Sequence, residues 1–306
     1  MRGTLSDGFR PRSVHERLGH ATARHPIDVI RKRAGRIAGL DLRRLPRRWR
    51  RIGDVLILVF PADLSPWKDA LAPIYAEVLG ARTVVEDLAW VHGAWRVPEV
   101  RWLWGGGTET VLREDGVRFR LDVRQVMFSA GNVSERIRMG RISRPGETVV
   151  DLFAGIGYFS LPIALHSKPE RVVACEANPV AFHYLEDNIA GNRAGAVEAR
   201  FGDCRAVAPD GVADRVVMGH FDADRYLDVA FRAARHRVTI HFHALLRGPD
   251  QGTGTVSDLL RREGQRAGFS LSDAQVRIVK SYRPHVRHVV ADATFVWAET
   301  KDICSR

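Results

Sequence analysis

The sequence predicts a doubly wound α/β fold with a smaller α+β domain ahead of it, and three observations carry that reading. From residue 147 onward, strand-like and helix-like patterns alternate with short connections, as in a parallel sheet covered on both faces. At the head of that alternation a β-branched run, Glu147-Thr-Val-Val150, leads into Asp151-Leu-Phe-Ala-Gly-Ile-Gly157. Residues 158–165 then have the apolar spacing of a helix. Between residues 53 and 143 the pattern is mixed, with short strand-like pieces around one clear helix. Pattern and charge divide the chain into a basic segment over 1–50, a small α+β domain over 51–143 and a larger α/β domain over 144–300.

Taken in order, the first 25 residues have the composition of a poorly ordered tail. Arg31-Lys-Arg33, Arg43-Arg44, Arg47-Arg48 and Arg50-Arg51 follow, with Trp49 among them; they read either as a solvated face or as a patch for an RNA backbone. Residues 55–60 read as a buried strand and 67–79 as a helix ending at Gly80. Strands are expected at 83–85, 117–121 and 125–128, with a glycine turn at 105–107. In the larger domain strands are expected near 148–153, 171–176, 197–202, 213–218 and 236–243. Helices fall between them near 157–165, 180–192, 223–234 and 255–267. Strands near 273–280 and 288–297, with no helix between, predict a hairpin at one sheet edge.

Composition narrows the partners. With 45% hydrophobic and 27% charged residues, the 306-residue chain reads as soluble and globular. No apolar run reaches the roughly 18–20 residues of a membrane span, and the N-terminus lacks a signal-like apolar core, so a cytoplasmic protein is expected. Cys175, Cys204 and Cys304 have no metal-ligand spacing; they read as thiols in a reducing compartment, and no metal is expected. The net charge is +11, and only five of the 47 cations are lysine. Arginine forms bidentate contacts with phosphate, which suits a nucleic acid, although a GC-rich genome produces the same bias.

A strand, a glycine turn and a helix place free backbone N–H groups and a positive dipole end at the strand's carboxyl edge, a cradle for a small ligand. Gly155 and Gly157 let the backbone approach that ligand, but the third glycine of a dinucleotide fingerprint is missing. Glu176 ends the second strand, where it can hold ribose hydroxyls, and Asp203 ends the third, where it can accept from an adenine amino group. With Asp151 leading the turn, the three acids resemble the S-adenosylmethionine pocket of class I methyltransferase-like folds. The bland reading makes Glu176 and Asp203 turn-forming acids only.

Ligand and fold do not fix chemistry. Enzymes that methylate base nitrogens often end the fourth strand in Asn/Asp-Pro-Pro or Asn-Leu-Pro, whose carbonyl accepts the N–H of the base. Here that strand ends in Met218-Gly-His-Phe-Asp222, with neither amide nor proline. This junction, Met127-Phe-Ser-Ala-Gly-Asn-Val-Ser-Glu-Arg-Ile-Arg138, the Asp151–Gly157 turn and Thr239-Ile-His-Phe-His243 resemble the tRNA wybutosine-synthesising aminocarboxypropyltransferases. The likeness runs from about residue 53 to 297, most densely over 126–243. It implies transfer of the 3-amino-3-carboxypropyl group of S-adenosylmethionine to a tricyclic guanosine at position 37 of phenylalanine tRNA. Methylthioadenosine would be released.

The resemblance also implies cofactor contacts at Ser129, Arg136, Glu176 for the ribose, Asp203 with Cys204 at adenine, and Met218. Arg136 is able to fork onto a carboxylate, or else to pair with Glu135 or Asp151. Departures from the family pattern fall on the substrate side: Ala130 stands where proline is common, His220 where tyrosine is common, and Arg283-Pro-His-Val-Arg-His288 lacks a usual tryptophan. His220, His241 and His243 are the candidate proton acceptors; alternation puts the latter two on one strand face. Asp222 and Asp224 read as helix caps. The alternatives are a tRNA guanosine-37 N1-methyltransferase, a non-catalytic tRNA-binding module and, for want of the third glycine more remotely, an NAD-dependent oxidoreductase.

Overall fold

The computed structural model describes residues 25–88, 97–248 and 252–298; the expected N-terminal tail, all but its last residue, and Cys304 lie outside the described residues. Helix α1 (Pro26–Ala34) places its proline in the first turn, where no N–H is missed, and the His25 ring accepts from the Ile27 N–H at 3.4 Å. Strands β1 (Trp49–Ile52) and β2 (Val55–Leu58) form a hairpin. Helix α2 (Lys68–Leu79) ends on Gly80 at φ +65° and returns the chain to β3 (Thr83–Asp87), parallel to β2. Strand β4 (Val100–Gly105) adds an antiparallel edge.

One face of this sheet packs against α1 and α2 around Leu56, Leu58, Leu71 and Tyr75. The other presents Ile52, Val55, Ile57 and Val85 to Phe119 and Leu121 of a separate hairpin, β5 (Glu109–Glu114) and β6 (Val117–Asp122). Helix α3 (Val133–Met139) follows. The sequence pattern does not reveal it, nor α1, β1, β4 or β5.

Residues 125–128, expected as a strand, are an irregular connection. Val126 and Phe128 are buried, which mimics strand alternation, but the Gln125 and Val126 N–H groups both turn back to the Asp122 carbonyl.

The larger domain follows the expected alternation: β7 (Thr148–Asp151), α4 (Ser160–His166), β8 (Arg171–Glu176), α5 (Pro179–Asn192), β9 (Val197–Phe201), α6 (Cys204–Val207), β10 (Ala213–Met218), α7 (Leu227–Ala233), β11 (Ala234–Arg247), α8 (Gly254–Arg266), β12 (Phe269–Arg283) and β13 (Val286–Trp297). The strands order as β12-β13-β11-β10-β7-β8-β9, with β13 antiparallel to both its neighbours. The late hairpin is at the edge, as expected, and its second strand is the inner one. One core layer packs Phe231 and Leu260 under one face of the sheet; the other packs Leu161, Ile163 and Leu185, with the β5–β6 hairpin, on the opposite face.

One expectation fails locally, and the arginine run is tied into the fold. Residues 223–234 begin as a 3-10 turn, Ala223–Tyr226, before α7, and neither Asp222 nor Asp224 caps a helix with its side chain. The arginines of 31–51 are largely committed to the protein: Arg31 pairs with Asp28, Arg33 with Glu77, Arg43 with Asp41, Arg44 with Asp63 and Arg50 with Asp87. Arg51 donates to the carbonyls of Gly53, Leu79 and Gly80, closing the end of α2. Trp49 lies edge-on to Tyr75, 6.5 Å between centroids, so it packs against the small core instead of standing ready to stack on a base. Among the described residues no helix is long and apolar enough to cross a membrane.

Candidate functional site

The carboxyl ends of β7, β8, β9 and β10 open on a cavity of about 680 Å³. Asp151, the last residue of β7, is fully buried. Its carboxylate accepts from the Phe153 N–H at 3.2 Å and from the Ser160 hydroxyl at 2.7 Å, bracing both ends of the glycine turn. Burial pushes its pKa up to about 6. Within the turn Gly155 and Gly157 sit at φ +57° and +96°. A Cβ on Gly157 would stand 2.6 Å from Leu161, and one on Gly155 would overlap the Tyr158 ring.

Glu176 bridges two turns: one oxygen accepts from the Gly155 N–H and the other from the Asn178 N–H, each at 2.7 Å. Burial raises the pKa of this carboxyl, against the pull of those N–H groups. Asp203 caps the single turn α6 through the Arg205 N–H at 2.8 Å and also lines the cavity, so its role in the turn leaves it on the cavity wall. Cys204 lines the cavity as well, its thiol pushed by burial to about 12 and hence neutral. Phe153 and Tyr226 meet edge to face at 5.0 Å, and the Arg205 guanidinium lies over the Tyr226 ring at 3.9 Å. Close backbone approach at Gly155, a carboxylate at the end of β8 and another at the end of β9 fit S-adenosylmethionine.

Of the residues singled out from sequence, Ser129, Arg136, Gly155, Glu176, Asp203, Cys204, His220 and His243 line the cavity. Asp151, Gly157, Met218 and His241 stand behind it. Arg136 forks onto Glu114 at 2.6 and 2.7 Å and donates to the Ser129 carbonyl at 2.9 Å. Its ion-pair partner is therefore neither Glu135 nor Asp151; Glu135 instead holds Arg138.

The three histidines separate in the same way. His220 stacks 5.3 Å from Phe153, and its Nδ1 accepts the Asp222 N–H at 3.2 Å. His241 has both ring nitrogens engaged, Nδ1 with Asp292 at 2.6 Å and Nε2 with Arg215 at 2.7 Å. Burial pushes its pKa down to about 4. Asp292 also receives Arg138 and Arg277, and Arg215 pairs with Glu147, so His241 belongs to a charged strut tying α3 to the sheet. His243 is 2% exposed and shares a 3.0 Å hydrogen bond from Nδ1 to His288 Nε2. Its Nε2 is buried and has no hydrogen-bond partner among the described residues. Burial, then the neighbouring His288 and His241, hold His243 well below the usual histidine range, so it is neutral near pH 7.

Sequence reasoning missed Lys280, Tyr282 and His288, which reach the cavity from the β12–β13 hairpin. The alternation of Lys280 and Tyr282 at the end of a strand was an available signal, because residues two apart share a face.

Comparison with known proteins places this geometry. Residues 110–259 match the model of the TRM5/TYW2 methyltransferase domain, and residues 34–108 match that of the TYW2 N-terminal domain. A Pyrococcus horikoshii protein named tRNA(Phe) (4-demethylwyosine(37)-C(7)) aminocarboxypropyltransferase is 38% identical over 81% of this chain and 89% of its own. The solved structure of P. horikoshii TYW2 in complex with MeSAdo superposes with a TM-score of 0.79 at 34% identity, covering 88% of this chain and 99% of that one. That of Methanocaldococcus jannaschii TYW2 in complex with AdoMet gives 0.68 at 36% identity, covering 82% and 100%.

Proposed function

The chain belongs to the TRM5/TYW2 methyltransferase family, and from that premise we infer that it is an S-adenosylmethionine-dependent tRNA aminocarboxypropyltransferase. It places a 3-amino-3-carboxypropyl group on the tricyclic guanosine derivative at position 37, in phenylalanine tRNA, and methylthioadenosine is released. The observation that carries this reading over base-nitrogen methylation is the junction after β10. Gly219 and His220 face the cavity there, and neither offers a side-chain amide carbonyl to a ring N–H.

When bound, S-adenosylmethionine supplies a sulfonium with three electrophilic carbons, and the one in line with the nucleophile reacts. Glu176 would hold the ribose hydroxyls and Asp203 would take the adenine amino group, while Asp151 keeps the turn in shape from behind. Residues 144–300 would carry most of the cofactor, with the Ser129–Asn132 segment completing its site, and the rest of residues 51–143 would lie on the tRNA side. His243 offers its neutral Nε2 to the proton that the attacked base carbon sheds. That carbon forms the new carbon–carbon bond while the sulfur keeps the electron pair of the bond it loses. His288, bonded to the far side of the ring, fixes the orientation of His243. His220, stacked on Phe153, borders the space for the base.

The test is product analysis with S-adenosylmethionine and tRNA carrying the tricyclic base. Methylthioadenosine is expected. S-adenosylhomocysteine would favour guanosine-37 N1-methylation, and tRNA binding with no nucleoside product would favour a non-catalytic module.

A further inference from the structure

We propose that Lys280 and Asn132 are positioning residues for the amino-acid arm of S-adenosylmethionine, Lys280 taking its carboxylate and Asn132 its ammonium. The proposal rests on the cofactor reading above and gives the arm a site of its own.

The carboxylate needs a cation, and Arg136, the residue expected for it, is already forked onto Glu114 and only 2% exposed. A further N–H of Arg136 donates to the Ser129 carbonyl, so this side chain shapes the segment beside the arm without needing to touch it. Lys280 reaches the same segment from β12: its Nζ donates to the Ser129 hydroxyl at 2.9 Å. A hydroxyl is a neutral acceptor, and exchanging it for a carboxylate converts the contact to a charge-assisted one. Lys280 lies so close to the backbone that a Cβ on Gly131 would stand 2.9 Å from Nζ.

The ammonium needs acceptors. Asn132 lines the cavity, and its buried Oδ1 has no hydrogen-bond partner among the described residues, an arrangement that costs free energy until a donor arrives. A cation and an orphan acceptor thus flank Gly131, the complement of a zwitterion. Both come from outside the strand-end acids that hold the nucleoside. Fixing the arm at its two charged ends also fixes which carbon of the sulfonium faces the base.

Methylthioadenosine contains the nucleoside and sulfur but no arm, so titration calorimetry with both ligands isolates the arm's contacts. Lys280→Met is expected to weaken S-adenosylmethionine by about 10- to 100-fold and leave methylthioadenosine within about twofold. Asn132→Ala is expected to do the same to a smaller degree, and Lys280→Arg to recover part of the loss. Equal weakening of both ligands would mean a merely structural role and overturn the proposal, as would unchanged S-adenosylmethionine affinity in Lys280→Met. If the unaltered protein bound neither ligand, the cofactor reading itself would fall; if it bound methylthioadenosine alone and equally in every variant, only the arm site would.

Discussion

His241 and His243 differ by two positions and share a strand face, yet only one is available for chemistry. In the sequence they are equivalent, because alternation reports a face and not what stands opposite it. Asp292 and Arg215 saturate His241, whereas His243 keeps a buried Nε2 without a partner among the described residues. Replacing His243 with Asn is expected to lower kcat by about 100-fold or more with S-adenosylmethionine affinity unchanged, measured by single-turnover kinetics and calorimetry. A parallel loss of affinity would make it a packing residue. Arg136 shows the same limit of reading. Its capacity for a fork was legible, but its partner Glu114 lies on a hairpin that the sequence pattern did not reveal.

At the scale of elements, β7 and the turn after it were legible because a β-branched run, two glycines and helical spacing coincide within a few residues. The β12–β13 hairpin was legible as an edge feature but not as a cavity wall, since its twist over the strand ends depends on pairing with β11. The elements also carry opposing proton linkages. Buried and neutral, His241 and His243 have folded pKa values below their unfolded value. Stability is therefore present above about pH 6.5 and is lost as pH falls, toward about 4 in the case of His241, at about 1.4 kcal/mol per pH unit for each proton of difference. Asp151 is raised to about 6, so its contribution is present below its unfolded value near 3.8 and is lost as pH rises through 6. The melting temperature is expected to fall on acidification from pH 7.5 to 5. Asp151→Asn should steepen that fall by removing the opposing contribution; a flatter profile in the variant would contradict the assignment.

For the whole molecule, net charge was the most visible property of the sequence and the least specific. Its formal value of +11 is real, but most arginines of residues 31–51 pair with nearby carboxylates or cap α2. Exposed pairs of this kind add little stability. They also leave Arg47 and Arg48 as exposed cations without a pairing partner among the described residues. Replacing those two is expected to flatten the slope of log affinity for tRNA against log salt by about 0.7–0.9 for each phosphate that is no longer neutralised. An unchanged slope would remove this face from the tRNA interface. Replacing Arg51 should instead lower the melting temperature, because the α2 carbonyls lose their donor.

Cofactor and fold were readable from local signals such as the glycine turn, whereas the proposed choice of carbon rests on residues that meet only after folding: Ser129 with Lys280, and His243 with His288. That choice is measured most directly by giving the enzyme S-adenosylmethionine labelled either in its carboxyl carbon or in its methyl group, with tRNA bearing the tricyclic base. Carboxyl label is expected to enter the tRNA, and methyl label to leave with methylthioadenosine. Methyl label in the tRNA, with carboxyl label left in S-adenosylhomocysteine, would contradict it.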